Sequence, residues 1–166
     1  MRSIVVLIGM TLSVRSAGAQ SLTAAQRYAV PEWARPVIER PAFANVYELD
    51  GHLNPFCQRA DFDGDGKLDF AVIIRERSSG KIGIAFIHHA TLALYIVGAG
   101  KPGVHGDDYA WVDAWTVFDK DVVPQGAGEQ PPPSLKGDAL LVFKTQSASA
   151  ILWWTGTTYR WYQQGD

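Results

Sequence analysis

Asp61-Phe62-Asp63-Gly64-Asp65-Gly66-Lys67-Leu68-Asp69-Phe70-Ala71-Val72-Ile73-Ile74 is an acid-rich turn that runs straight into an apolar, β-branched segment. Acids at relative positions 1, 3, 5 and 9 of a tight loop aim their carboxylates at one centre. That arrangement suits a hard cation, since Ca²⁺ takes about six to eight oxygen ligands at roughly 2.3–2.6 Å. Gly66 supplies the positive φ that such a turn demands. Lys67 offers its backbone carbonyl while its ammonium group points to solvent. Without a cation, carboxylates this close repel one another and favour an open loop. The expected ligands are therefore Asp61, Asp63, Asp65, the Lys67 carbonyl and Asp69, with Ca²⁺ as the ion and Mg²⁺ as the alternative.

The loop departs from an EF-hand at its exit. Position 12, where that motif has a bidentate Glu on a helix, falls here on Val72, inside the run Phe70 to Ile74. A short β-branched run of this kind reads as a strand. Asp61 to Val72 resembles the DxDGDGxxDxAV signature of FG-GAP and VCBS repeats, found in integrin-type β-propellers and many secreted bacterial proteins. The resemblance implies that the loop joins two strands of a blade and binds Ca²⁺ through Asp61, Asp63, Asp65, Lys67 and Asp69. It covers a dozen residues. Propellers need about four to eight blades, and a single signature is present, so the resemblance implies a site and not a whole propeller.

Working outward, Met1-Arg2 precedes an apolar run from Ile4 to Leu12 and then Ser16-Ala17-Gly18-Ala19. This resembles a secretory signal peptide over residues 1–19, with Arg15 as an irregular feature near the cut. The apolar run is too short for a bilayer, which needs about 20 residues, so no stable membrane insertion is expected. No Cys follows the small residues, which argues against a lipoprotein. Residues 20–166 then form one β-rich domain of ordinary size, secreted or periplasmic. The net charge of −2 becomes about −4 without the leader, and no basic patch points to nucleic acid. Cys57 is the only cysteine, so no internal disulfide forms, and a bound cation is the available cross-brace.

The remaining pattern is mostly β. Ser21 is positioned to cap a helix over Leu22 to Tyr28, and Pro31 to open a second over Glu32 to Glu39. Extended segments are expected at Asn45 to Leu49, Leu68 to Arg75, Ile82 to His88, Leu92 to Val97, Trp111 to Phe118, Ala139 to Lys144, Ala150 to Trp154 and Tyr159 to Gln163. The fold class is α+β, mostly antiparallel sheet with about seven to eight short strands behind an N-terminal helical segment. Residues 119–137, with Pro131-Pro132-Pro133, read as a long surface excursion. Asp69 to Ile82 and Asp138 to Ile151 echo each other at an offset of 69 without gaps, either as a duplicated sheet unit or as two similar hairpins. The second copy has Gln130, Pro132 and Ser134 where the first has Asp61, Asp63 and Asp65, so one cation site is expected.

Two other clusters invite chemistry. His105, Asp107 and Asp108 share a glycine-bounded loop and define the enzymatic alternative, a secreted hydrolase. Adjacent His88 and His89 point to opposite faces of a strand and cannot jointly chelate one ion. The C-terminal hairpin carries Trp153, Trp154, Tyr159, Arg160, Trp161 and Tyr162. Alternation sends one set inward and leaves another for a protein or carbohydrate partner. The leading expectation is a secreted binding or interaction protein with a structural Ca²⁺ and no catalysis. An inhibitor or immunity-type protein acting on a secreted partner is the further alternative.

Overall fold

The acidic loop sits at the junction of two packed antiparallel sheets. The computed structural model describes residues 23–103, 105–119 and 121–165; the expected leader and the Ser21 cap lie outside them. The described chain begins with α1 (Ala24–Ala29), a 3-10 turn (Glu32–Ala34), α2 (Arg35–Glu39) and α3 (Pro41–Ala44). The strands are β1 (Tyr47–Leu49), β2 (Cys57–Ala60), β3 (Asp69–Glu76), β4 (Ile82–Ile87), β5 (Leu94–Gly98), β6 (Ala114–Phe118), β7 (Ala139–Lys144), β8 (Ala148–Trp154) and β9 (Tyr159–Gly165).

Thr23 caps α1. Its hydroxyl accepts from the Gln26 N–H and the Gln26 side chain returns a bond to the Thr23 backbone, a capping box. α2 and α3 each begin at a proline-compatible first turn, Pro36 and Pro41. Arg40 is extended between them, as the residue before a proline prefers. No helix among the described residues is long and apolar enough to cross a membrane.

Sheet A has the order β1-β3-β4-β5, and sheet B the order β6-β7-β8-β9, all antiparallel. β1 and β2 share one edge of β3 end to end: Leu49 pairs with Ile74, and Cys57 with Val72. β2 is the strand that the sequence pattern omits, and it brings the count among the described residues to nine. The 69-residue echo falls on β3–β4 and β7–β8, which occupy the same places in two four-stranded meanders.

Period-two alternation sorts the side chains into layers. Ala71, Ile73, Ile84 and Phe86 of sheet A meet Leu140, Val142, Ala150 and Leu152 of sheet B in a core between the sheets. The opposite face of sheet A, with Phe70, Val72, Ile74 and Ile87, is covered by Val30, Ala34, Val37, Ile38 and Phe43 of the helical segment. The outer face of sheet B, with Ala139, Ile151 and Tyr162, is covered by Val123 and Leu135. Residues 119–137 are therefore more than a surface excursion: Val123 is buried and acts as a cover.

Candidate functional site

The acidic loop connects β2 to β3, and its conformation is built around one carboxylate. Asp61 Oδ1 accepts the N–H groups of Gly64 (2.8 Å) and Asp65 (2.9 Å), and Oδ2 accepts that of Gly66 (2.9 Å). Asp63 Oδ1 accepts the Asp65 N–H at 3.2 Å, and Asp65 Oδ1 the Lys67 N–H at 2.8 Å. Gly64 and Gly66 have φ of +79° and +85°, which lets the backbone turn around Asp61. The loop is also tied to sheet B, because the Asp61 N–H donates to Asp138 Oδ2 at 3.0 Å.

Four of the five expected ligands fall into two clusters that share Asp63. Carboxylate oxygens of Asp61, Asp63 and Asp65 lie within 4.8 Å of one another. Two oxygens on opposite sides of one Ca²⁺ are about 5 Å apart, so the spacing of these oxygens is one that a cation could bridge. Lys67 is exposed at the turn. Asp69 instead joins Asp63 and a residue that sequence patterning left out of the site, His88, with ligand atoms again within 4.8 Å.

His88 follows β4 directly opposite Asp69, as the Phe70–Ile87 pairing requires. Its Nδ1 is 3.2 Å from Asp63 Oδ2, and its Nε2 is 2.8 Å from the Tyr159 hydroxyl. The imidazole is enclosed by Tyr95 and Trp154, each with a ring centroid 4.8 Å away. His89 points the other way and stacks on Trp33 at 4.3 Å. The one available signal was the His88-His89 pair at a strand end, since only the cross-strand register decides which imidazole reaches the acids.

Burial governs the electrostatics here. Asp69 is fully buried, and desolvation, reinforced by the charges of Asp63 and Asp65, pushes its carboxyl up to about 7 despite hydrogen bonds from the His89 and Asp63 backbones. Burial holds the His88 imidazole below its ordinary value against the pull of Asp63 and Asp65. It also raises the Tyr159 hydroxyl far above the usual phenol, with Asp69 and Asp63 adding to the effect.

A second feature is an open groove of about 980 Å³ between the β5 and β9 edges. It brings together the loop after β5 and the C-terminal hairpin: Lys101, His105, Tyr95, Tyr159, Arg160 and Trp161 all face it. His105 stacks on Trp161 at 4.2 Å. Its loop neighbours serve elsewhere. Asp107 pairs with Lys81, and Asp108 Oδ1 accepts the N–H groups of Ile82 and Ala110 at 2.9 and 3.0 Å. The three residues of the hydrolase alternative thus have three different partners.

The fold and site define a class: a two-sheet antiparallel β protein with an acidic loop at the sheet junction and an aromatic-lined groove between two sheet edges. Comparison with protein-family models, with curated proteins and with solved structures gives no significant match.

Proposed function

We propose that this protein is a secreted, calcium-stabilised binding module. Its calcium loop is of the FG-GAP/VCBS type, and the groove between β5 and β9 is its contact surface. The observation that carries this is the convergence of the Asp61, Asp63 and Asp65 carboxylates around a backbone that Asp61 itself has organised. Neutralising these acids fixes the angle at which β3 leaves the loop, and β3 is the strand that β1, β2 and β4 all pair with. The role of the ion is structural. No bidentate Glu closes the loop, so affinity falls in the range of extracellular modules, with a dissociation constant of about 10⁻⁴–10⁻³ M.

The partner that suits the groove is an extended polypeptide. β5 pairs only with β4 among the described strands, so its outer backbone groups line up beside the groove, as in strand addition to a sheet edge. Exposed Lys101 and Arg160, set against the single acid Glu129 in the lining, favour an acidic segment.

Calorimetric titration of chelator-treated protein tests the ion: one Ca²⁺ per chain is expected, lost in Asp61→Ala. Absence of binding at millimolar Ca²⁺ refutes it. Selection from a peptide library, counter-screened with Trp161→Ala, tests the groove. Enrichment of acidic peptides that the variant fails to hold supports the assignment, whereas glycan binding without peptide binding overturns it.

A further inference from the structure

We infer that Asp63, Asp69 and His88 form a second cation site, suited to a divalent transition metal of the Zn²⁺ and Co²⁺ class rather than to Ca²⁺. The three residues come from the loop, the first position of β3 and the position after β4, so the fold assembles the site. Their ligand atoms lie within 4.8 Å of one another. Asp69 is 0% exposed and His88 2%. Carboxylates taken out of water in this way are costly unless a cation accompanies them. The Asp69 oxygens accept the neutral N–H groups of His89 (2.7 Å) and Asp63 (3.2 Å), but among the ion pairs of the described residues Asp69 has none and Asp63 has only the imidazole. A metal ion supplies the missing positive charge.

The donor chemistry selects the class of ion. Ca²⁺ takes oxygen ligands, whereas an imidazole beside two carboxylates suits a first-row transition metal. The surroundings of His88 match those of a ligating histidine, whose second ring nitrogen is held by an outer partner. Nε2 faces the Tyr159 hydroxyl at 2.8 Å, which leaves Nδ1 facing Asp63 Oδ2 at 3.2 Å. Tyr95 and Trp154 hold the ring in that orientation. Asp63 serves both sites with different oxygens: Oδ1 turns into the loop, where it accepts the Asp65 N–H, and Oδ2 turns to His88. The shared carboxylate is thus placed to bridge two ions. The transition-metal site itself does not require the loop to hold Ca²⁺.

The test is Co²⁺ titration of the chelator-treated full chain in millimolar Ca²⁺, followed by visible absorption and calorimetry, with Zn²⁺ as competitor. One Co²⁺ per chain with a ligand-field band that Zn²⁺ abolishes is the expected result. His88→Gln weakens Co²⁺ by at least about tenfold, and Tyr159→Phe by about tenfold, as loss of a ligand and of an outer partner do. Both variants keep their Ca²⁺ isotherm, and Asp61→Asn shows the reverse pattern. Equal Co²⁺ binding by wild type and His88→Gln, Co²⁺ binding only at the expense of Ca²⁺, or none at all, overturns the site. Because His88→Gln disturbs a packed aromatic cluster, ring ¹⁵N NMR of the wild-type protein gives an independent readout. Zn²⁺ must shift His88 Nδ1 and leave Nε2 protonated, and an unmoved resonance refutes the proposal.

Discussion

Asp61 and Asp138 hold each other reciprocally: the Asp61 N–H donates to Asp138 Oδ2 at 3.0 Å, and the Asp138 N–H donates to the Asp61 carbonyl at 2.7 Å. The residue that opens the acidic loop of sheet A is therefore fixed to the residue that precedes β7 of sheet B. The approach is close enough that a Cβ on Gly137 would lie 2.3 Å from the Asp61 carbonyl oxygen, and one on Gly64 would lie 2.6 Å from that of Lys136. Gly137→Ala must push the two sheets apart at this point. It is expected to destabilise the fold by about 1–3 kcal/mol in urea denaturation and to weaken Ca²⁺ binding along with it. Gly66→Ala meets open space and carries only the left-handed backbone cost of about 1–2 kcal/mol.

Removal of the ion has a defined size. With free Ca²⁺ at a hundred times the dissociation constant, binding adds about 2.7 kcal/mol of stability, which for a domain of this length is a Tm difference of roughly 5–10 °C. Thermal melting in EDTA should show that drop, Ca²⁺ should restore it, and Asp61→Ala should melt at one temperature with or without Ca²⁺, below wild type in EDTA because it also loses the three N–H bonds that order the loop.

The core between the sheets rests on Phe86. Its ring stacks on Tyr159 with centroids 3.7 Å apart and meets Phe62 edge-on at 5.4 Å. Both Phe86 and Phe62 are fully buried. Phe86→Ala empties the seam that joins sheet A to sheet B and is expected to cost about 3–5 kcal/mol, read from the urea midpoint.

Acid sensitivity should arise partly at Asp50, away from the loop. Burial pushes its carboxyl up, but hydrogen bonds from His52 and Arg75 and the Arg75 charge outweigh this and hold it below its ordinary value. A carboxyl depressed in the folded state contributes stability above its unfolded value of about 3.9, and that contribution disappears as pH falls through the folded value. Stability measured from pH 6 down to pH 2 should therefore fall less steeply in Asp50→Asn than in wild type, with the variant weaker by about 1–2 kcal/mol at pH 6.

Much of the strand pattern was legible because the segments concerned carry their own periodicity. Ala139–Lys144 was expected with its observed bounds, and Ile82 to His88 overran β4 by one residue. β2 was not legible: Cys57-Gln58-Arg59-Ala60 has no alternation and no β-branching, and becomes a strand because β3 offers it an edge. Thr23 caps α1 because Gln26 lies three residues on and closes the box. Asp61, Asp63 and Asp65 were readable because they are close in sequence. The company that Asp69 keeps was not, since it depends on a hairpin register that brings position 88 opposite position 69.

The two covering layers set a limit on how this architecture extends. In an array of blade-like sheets, each exposed face invites another sheet, and the stack grows until it closes on itself. Here Val37, Ile38 and Phe43 occupy the outer face of sheet A, and Val123 and Leu135 that of sheet B. A third meander docking on either face would meet these segments first, so each outer face of the sheet pair is covered by chain that is not itself sheet.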